Sequence, residues 1–374
     1  TAWRAELSRS LPADPATRRA AERRCNAAGE RLRRAIWDPA RGALIGARRV
    51  IVIPDGVLAL IPLQALPIGA DRYLVDSSPL LVQLAAERDL VRPADVPSGR
   101  GLLAMGGMNY DAGTKSPALL AAAETADRGL PPCREFGDVR FTPLAGTGEE
   151  AQDVSRLFAR SSLGGEPVEL LAGAEATEAA CRARAPGRRV IHLATHGFYV
   201  DPACALPAGV ATRGTAGLMP ATDLPASAPV DPLRLCGIAF AGANQRAAAT
   251  DGANDGVLTA GEVASLDLEG TKIVTLSACE SGLGIPVSGE GVLGLERAFH
   301  IAGADVVVMS LWPVNDRAAR EWMGDFYRTL WLEHRDPAEA ARAASRAALQ
   351  RLRAAGRPTH PGEWAMFVPS GLMR

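Results

Sequence analysis

The sequence has almost no net charge and almost no lysine. Its 374 residues carry a formal net charge of −1, and Lys115 and Lys272 are the only lysines. A chain so close to neutrality has no overall field that would attract nucleic acid or an anionic membrane. We therefore expect no direct nucleic-acid partner. We interpret the large excess of arginine over lysine as a bias in composition.

Long apolar runs are also missing. No run approaches the roughly 20 residues that a helix needs to cross a bilayer, and the first residues lack the apolar core of a signal peptide. We therefore expect no membrane contact and a cytoplasmic location. With 47% hydrophobic residues, a chain of this length can bury a sizeable core in one large domain or two to three small ones.

The six cysteines form no CxxC pair and no cluster with histidine. A structural zinc site is therefore not expected, and a disulfide framework is typical of much smaller secreted chains. We predict no metal and no cofactor, and reduced cysteines that are mostly small buried side chains. The cysteines are Cys25, Cys133, Cys181, Cys204, Cys236 and Cys279.

The first part of the chain predicts one helix followed by strands. Residues 16–36 are rich in Ala, Arg and Glu at helical spacing, and Asp38-Pro39 ends the pattern. The segments predicted as strands are 50–53, 73–75, 80–84 and 101–105. Residues 106–147 are rich in Gly, Pro and Ala, so we place a domain junction near 147.

From residue 148 onwards, helical and strand patterns alternate, which predicts a mainly parallel sheet flanked by helices. The predicted helices are 149–160, 175–184, 259–264, 291–301, 316–332 and 337–354. The predicted strands are 168–171, 189–195, 235–240, 272–277 and 305–311. The segment 201–232 interrupts this alternation of helices and strands with six prolines. The sequence shows no 34-residue helical repeat.

Two of these strands run into reactive side chains. The strand at 190–195 leads into His196-Gly197, and the strand at 273–278 leads into Cys279. Ligands and catalytic groups gather beyond the carboxyl ends of parallel strands. A cysteine nucleophile and its proton-transfer partner could therefore meet there, and the Gly197 N–H could stabilise an oxyanion.

Other interpretations apply to the same residues. His196 could be a hydrogen-bonded structural residue, and Cys279 could be buried. His192 and His196 lie too far apart on a strand, about 13 Å, to chelate one ion, so we interpret His192 as a packed neighbour. The segment from Asp251 to Glu262 resembles a calcium loop, but Ala253 is not a ligand.

The residues around the two strand ends resemble the CHAT domain, a caspase-like domain that is often found with tetratricopeptide repeats. The similarity extends over almost the whole chain. The motifs that carry it are Ile191 to Gly197, Leu276 to Gly284, Gly289 to Gly291 and Ser310 to Val314. Further segments similar to the family include Ile53 to Gly56, Gly173 to Thr177, Asp231 to Leu233, Gly242 to Asn244, Asp255 to Ala260 and His360 to Trp364.

The resemblance implies a cysteine endopeptidase of the clan that includes caspases, separase and gingipains. Cys279 would attack the scissile carbonyl and His196 would protonate the leaving amine. Gly197 and Cys279 would supply the oxyanion hole. The implied organisation is an N-terminal helical segment at 1–39, an inactive caspase-like lobe at 40–147 and an active lobe at 148–374.

The resemblance also implies a substrate preference. In separase an acidic residue after a Leu-Trp segment recognises arginine, and Asp316 stands in the matching place. Asp316 is thus a candidate for the S1 pocket, the subsite for the residue before the cleaved bond; alternatively, it or Asn315 caps the helix that follows. Ser277 stands where caspases carry a glutamine, which disfavours aspartate specificity.

We therefore predict an α/β, caspase-like protease that cuts a protein partner after Arg or Lys in a bacterial-type defence or cell-death pathway. Its mobile activation loop would lie near 201–232, with Arg213 and Arg234 as self-cleavage points. The family's repeats are missing from this sequence, so we expect either an excised or stand-alone protease domain or a separate regulatory partner or tetratricopeptide-repeat module. The alternatives are a non-catalytic scaffold and an α/β hydrolase, although Ser277 and Ser281 replace the glycines of the latter.

Overall fold

The structure, a computed structural model, is an α/β fold built on one eight-stranded sheet. It describes residues 2–9, 11–12, 14–69, 71–77, 79–91, 96–113, 139–199, 232–249, 254–278, 284–287 and 291–372. Cys133, Cys204, Cys279 and Arg213 lie outside these ranges, as does nearly all of the predicted activation loop.

The helices and strands follow the predicted alternation over most of the chain. The helices are α1 (Ala2–Leu7), α2 (Pro15–Ile36), α3 (Leu74–Ser77), α4 (Thr147–Ala159), α5 (Glu178–Arg184), α6 (Ala260–Val263), α7 (Leu295–Ala302), α8 (Asp316–Trp331) and α9 (Pro337–Ala354). The strands are β1 (Arg49–Val52), β2 (Leu80–Gln83), β3 (Leu102–Met108), β4 (Val168–Gly173), β5 (Val190–Thr195), β6 (Gly197–Tyr199), β7 (Cys236–Ala239), β8 (Val257–Thr259), β9 (Ile273–Ala278), β10 (Gly284–Val287), β11 (Gly291–Gly294), β12 (Val306–Ser310) and β13 (Phe367–Gly371).

The main sheet has the order β1-β2-β13-β12-β9-β5-β3-β4. Six of its seven pairings are parallel, and the exception is the antiparallel pair β12–β13. Strands β6, β7 and β8 form a small antiparallel sheet beyond β5. The prediction of a mainly parallel sheet flanked by helices is confirmed.

The central strands are buried along their whole length. Every residue of β5, β9 and β12 is buried, which explains why these segments are nearly continuous apolar and β-branched runs. One face of the sheet packs against a core that includes α2, α4, α8 and α9, and the opposite face packs against α5, α7 and the small sheet. The packing on both faces holds the sheet in place, and with it the carboxyl ends of the parallel strands.

Polar side chains mark where the long helices begin. Asp14, Asn315 and Asp336 accept hydrogen bonds from backbone N–H groups in the first turns of α2, α8 and α9. Such a cap contributes about 1 kcal/mol because those N–H groups have no partner within the helix. Thr259 and Glu262 form a reciprocal capping box at the start of α6.

Two sequence-based assignments were wrong. Residues 73–75 were predicted as a strand, but Leu74–Ser77 is helical, and the Asp76 carboxylate accepts from the Tyr73 backbone N–H. Residues 291–301 were predicted as one helix, but Gly291–Gly294 is a strand paired with β10 and the helix begins at Leu295. In both cases a tertiary or hairpin contact overrode a short, ambiguous apolar pattern.

The predicted lobes share one sheet. Strands β1, β2 and β3 come from the segment 40–147; β2 pairs with β13, and β3 pairs with β4 and β5, all from the segment 148–374. The division into an inactive and an active lobe stays a prediction. In the part of the chain that the structure describes, no helix is long and apolar enough to cross a membrane.

Candidate active site

The two strands that carry the predicted dyad are neighbours in register. β5 and β9 are parallel, and Thr195 pairs with Ala278 at their carboxyl ends. Neighbouring strands lie about 4.8 Å apart. His196 directly follows Thr195, and Cys279 directly follows Ala278, so the two segments leave the sheet at the same level. Cys279 itself lies outside the described residues.

The imidazole of His196 is oriented by a backbone carbonyl. Its Nε2 lies 2.7 Å from the oxygen of Thr142, and a carbonyl can only accept a hydrogen bond. Nε2 therefore carries a proton, and in the neutral ring the lone pair is on Nδ1. The half-buried ring also contacts Tyr110 and Phe141, with centroid distances of 5.2 and 5.7 Å.

Asn244 holds the segment that offers this carbonyl. Its side-chain oxygen accepts from the Phe141 N–H at 2.8 Å, and its amide nitrogen donates to the Phe141 oxygen at 2.9 Å. The amide thus pairs with both backbone groups of Phe141, as a neighbouring strand would. The position of Thr142, and through it the orientation of His196, depends on this clamp.

The backbone on either side of the histidine is fixed as well. The Thr195 hydroxyl donates to the Ala239 oxygen at 2.6 Å and lies 2.9 Å from the Tyr110 hydroxyl, which then donates to it. The Ala239 N–H donates to the His196 oxygen at 2.9 Å. Strand β7 therefore anchors the turn from β5 into β6 at two consecutive residues.

The last described residue before Cys279 is anchored from the opposite strand. The Ser310 hydroxyl, at the end of β12, donates to the Ala278 carbonyl. Ser310 is completely buried. The backbone immediately before Cys279 is therefore fixed.

Gly197 is the first residue of β6 and lies opposite Ile238 of β7. It directly follows the oriented histidine, so its backbone lies at the carboxyl edge of the main sheet. Its predicted part in an oxyanion hole stays a prediction, because the partner N–H, that of Cys279, is outside the described residues.

Asp316 is the first residue of α8, and Asn315 caps that helix. The Asn315 side chain accepts from the N–H groups of Arg317 and Ala318, so between the two capping alternatives the structure selects Asn315. Asp316 is half-buried and packs against Gly146, four residues beyond Thr142. The S1 candidate and the acceptor of His196 therefore adjoin the same loop.

His192 is not part of this edge. It is completely buried, with Nδ1 3.2 Å from the Tyr327 hydroxyl and Nε2 3.1 Å from an oxygen of Glu150. The Tyr327 hydroxyl donates to Thr275. The interpretation of His192 as a packed, hydrogen-bonded neighbour is confirmed.

The thiols of the described cysteines suit a structural role. Cys25, Cys181 and Cys236 are buried and are not paired in disulfides with one another. Burial raises the pKa of Cys25 and of Cys181 to about 12, so these thiols are not nucleophiles at neutral pH. The expectation of buried cysteines is confirmed for these three.

The remaining candidates lie away from the dyad. Arg234 is exposed, but the next residue, Leu235, is buried, so cleavage after Arg234 would require local unfolding.

In the loop that resembles a calcium site, Asp255 accepts from the Val257 N–H and Gly256 adopts a positive φ of 88°. Within the described ranges, no group of three acidic, His or Cys side chains could hold a metal.

Sequence reasoning missed the residues that orient the histidine. Thr142 acts through its backbone, so its side chain carries no signal. Tyr110 and Ser310 act through single hydroxyls that contact distant strands. Asn244 lies in a segment similar to the CHAT family, so the sequence marked its position. Nothing in the sequence indicated that its side chain would bind the backbone of Phe141.

Known proteins resemble the chain in sequence and in structure. Human and mouse tetratricopeptide repeat protein 28 are 35% and 32% identical to it over 115 residues. That match covers 31% of this chain and 4% of each relative, so the chain spans a small part of the curated relatives that it matches.

Two structures of the separase–securin complex of Saccharomyces cerevisiae align with 86% of this chain and 15% of the matched chain. Their sequence identity is 10%, and the TM-scores are 0.45 and 0.40. The family description of the CHAT domain matches residues 26–372. Since this match extends over nearly the whole length, the chain belongs to the CHAT domain family, which is part of the caspase-like peptidase clan.

Proposed function

We propose that this chain is a cysteine endopeptidase with His196 and Cys279 as its catalytic dyad. The observation that carries the proposal is the register of Thr195 with Ala278 on adjacent parallel strands. This register brings the two chemically active positions to one edge of the sheet, where catalytic groups of α/β folds collect.

The orientation of His196 supports a defined mechanism. With Nε2–H donated to Thr142, Nδ1 accepts the proton of the Cys279 thiol, and the thiolate attacks the scissile carbonyl. Backbone N–H groups of Gly197 and Cys279 stabilise the oxyanion. The Nδ1 proton then passes to the leaving amine, and a water molecule activated by Nδ1 hydrolyses the acyl-enzyme.

The proposed substrate is a protein that is cut after Arg or Lys. Asp316 supplies the negative charge of the S1 pocket, and its neighbour Asn315 provides the cap of the helix that follows. Carboxylates pair with guanidinium groups in a bidentate manner, which favours arginine.

The proposed setting is a regulated defence or cell-death pathway with a tetratricopeptide-repeat regulator. The support for the regulator is that both curated relatives are tetratricopeptide repeat proteins. Regulation through the predicted loop at 201–232, including cleavage at Arg213, belongs to the same proposal.

The second candidate is a non-catalytic scaffold with the same fold. It is favoured by one observation, that the matched relatives are named for repeats and not for a peptidase activity. In a scaffold, the Thr142–His196 bond would be structural, and Cys279 would have no enhanced reactivity.

Cleavage of fluorogenic arginyl peptides tests the proposal, with Cys279→Ala and Cys236→Ala compared with wild type. We expect kcat to fall by at least about 10⁴-fold in the first variant and to stay near wild type in the second. Unchanged turnover in Cys279→Ala would contradict the proposal.

Labelling with iodoacetamide at neutral pH separates the two candidates without a substrate. Selective labelling of Cys279 supports the peptidase, since the thiolate is the reactive form. Equal, slow labelling of Cys279 and the buried Cys25 supports the scaffold.

A further inference from the structure

A groove of about 900 Å³ lies outside the candidate active site. Its walls are the segment after α1, the segment 312–318 after β12, helix α9 and the residues around Gly362. Neither His196 nor Asp316 lines it, although it shares the segment from Trp312 to Arg317 with the S1 candidate.

The apolar floor of this groove is already covered by its own packing. Leu7, Trp312 and Met366 line it, yet their exposed fractions are only 2%, 2% and 1%. The Trp312 indole N–H is also occupied, because it donates to the Gly362 oxygen at 3.1 Å. An occupant would therefore gain little from apolar burial and must be recognised by the rim.

The rim carries an excess of positive charge. Five arginines line the groove against two carboxylates, in a chain whose net charge is −1. The arginines are Arg9, Arg18, Arg317, Arg351 and Arg357, and the carboxylates are Glu321 and Glu363.

The two carboxylates are each shared. Glu321 contacts Arg317 at 2.9 Å and Arg351 at 3.6 Å. Arg351 also contacts Asp325 at 2.6 Å, and Asp325 is itself shared with Arg328 at 2.7 Å. Glu363 contacts Arg18 at 3.3 Å and Arg357 at 2.6 Å. One negative charge cannot neutralise two guanidinium groups, so these ion pairs leave positive charge on the groove.

Arg9, just after α1, also shares its carboxylate partner with a second arginine. It lies 3.2 Å from Glu6, which also contacts Arg24 at 3.5 Å. The side chains of Arg9 and Arg317 are 57% and 87% exposed. Both can therefore turn towards an incoming anion at little cost.

From these contacts we propose that the groove binds an acidic segment of a protein partner. Carboxylates spaced along a peptide satisfy the spare guanidinium donors without any change in the apolar floor. Single-stranded nucleic acids bind through bases that stack on exposed aromatic rings, and Trp312 is too buried to stack a base. The arrangement therefore favours an acidic peptide over a single-stranded nucleic acid.

The test measures binding of a fluorescein-labelled twelve-residue peptide of alternating glutamate and alanine by fluorescence anisotropy. We expect binding to wild type at low salt that weakens steeply as salt is added, because exposed charges are screened. The double variant Arg9→Glu/Arg317→Glu should bind at least about tenfold more weakly.

Arg34→Glu is the matched control, because Arg34 is 66% exposed and forms the same i,i+4 pair with a glutamate on α2. We expect it to bind within about twofold of wild type, and circular dichroism checks that all variants are folded. The proposal is overturned if wild type does not bind, if a lysine–alanine peptide binds equally well, or if Arg34→Glu has the effect of the double variant.

A twelve-nucleotide oligothymidylate provides a further outcome. If it binds more tightly than the acidic peptide, the groove is a nucleic-acid site and the proposal is wrong. None of these readouts depends on catalysis, so the groove and the proposed peptidase activity can fail separately.

Discussion

Gly146 packs so closely on Asp316 that a Cβ atom on Gly146 would lie 3.0 Å from the Cβ of Asp316. Four residues earlier in the same loop, Thr142 accepts the hydrogen bond from His196. One loop therefore links the S1 candidate Asp316 to His196, and the two positions can be tested by separate substitutions.

The variant Asp316→Asn removes the charge and keeps the size of the side chain. We expect it to lose its preference for Arg and Lys before the cleaved bond, with kcat/KM for arginyl peptides falling about 100-fold or more, since a buried hydrogen-bonded charge pair is worth roughly 3 kcal/mol. Cleavage profiling on a peptide library provides the measurement.

Asn315→Ala is the control for the helix. It should lower the free energy of unfolding by about 1 kcal/mol through loss of the cap and leave the Arg/Lys preference in place. If Asn315→Ala changed the preference and Asp316→Asn did not, the assignment of the pocket would be wrong.

The variant Asn244→Ala tests the clamp on Phe141. Loss of both hydrogen bonds releases the Thr142 carbonyl, so we expect kcat to fall about 10- to 100-fold through misplacement of His196, with little change in KM. Steady-state kinetics and a pH–rate profile check this, and Asn244→Asp, which keeps the oxygen acceptor, should lose less. Unaltered kcat in Asn244→Ala would mean that the clamp is only structural.

The buried pair of Glu150 and His192 joins α4 to β5. Glu150 Oε1 and His192 Nε2 lie 3.1 Å apart in the core but are not aligned for a hydrogen bond. Either Glu150→Leu or His192→Leu leaves one polar group unpartnered, and we expect each to cost about 3 kcal/mol of unfolding free energy. The double variant should cost less than the sum, as measured by urea denaturation; additive losses would contradict the coupling.

Glu296 of α7 is expected to make stability depend on pH. Burial raises its pKa to about 7, against the opposing effect of Ser370, whereas an unfolded glutamate titrates near about 4.3. Between these values the folded state binds a proton that the unfolded state lacks, so the free energy of unfolding falls as pH rises through this window.

Urea denaturation at pH 5 and pH 8 checks this prediction. Glu296→Gln should lose less stability over that range than wild type, by on the order of 2 to 3 kcal/mol. The exposed Glu333→Gln should follow wild type, and the same slope in all three proteins would exclude Glu296 as the cause.

Local patterns predicted most elements well. The helix at 337–354 has the predicted bounds, and β5, β9 and β12 differ from their predicted bounds by one or two residues, because long periodic or fully apolar runs are unambiguous. The segments at Leu74 and Gly291 were misassigned because short apolar runs take their structure from partners elsewhere. Pairing with β10 made Gly291–Gly294 a strand, and no local pattern contains that contact.

The sequence by itself determined the element types, the family resemblance and the two strand ends that lead to His196 and Cys279. The element types and the strand ends follow from side-chain periodicity, which is a local property, and the resemblance follows from the motifs that surround those strand ends. Only the tertiary structure decided that Thr195 and Ala278 share a register, that a backbone carbonyl of Thr142 orients the histidine and that arginines from three segments surround one groove. Sheet register, backbone acceptors and charge sharing depend on contacts between residues far apart in the chain, and the packing of the whole sheet is what creates them.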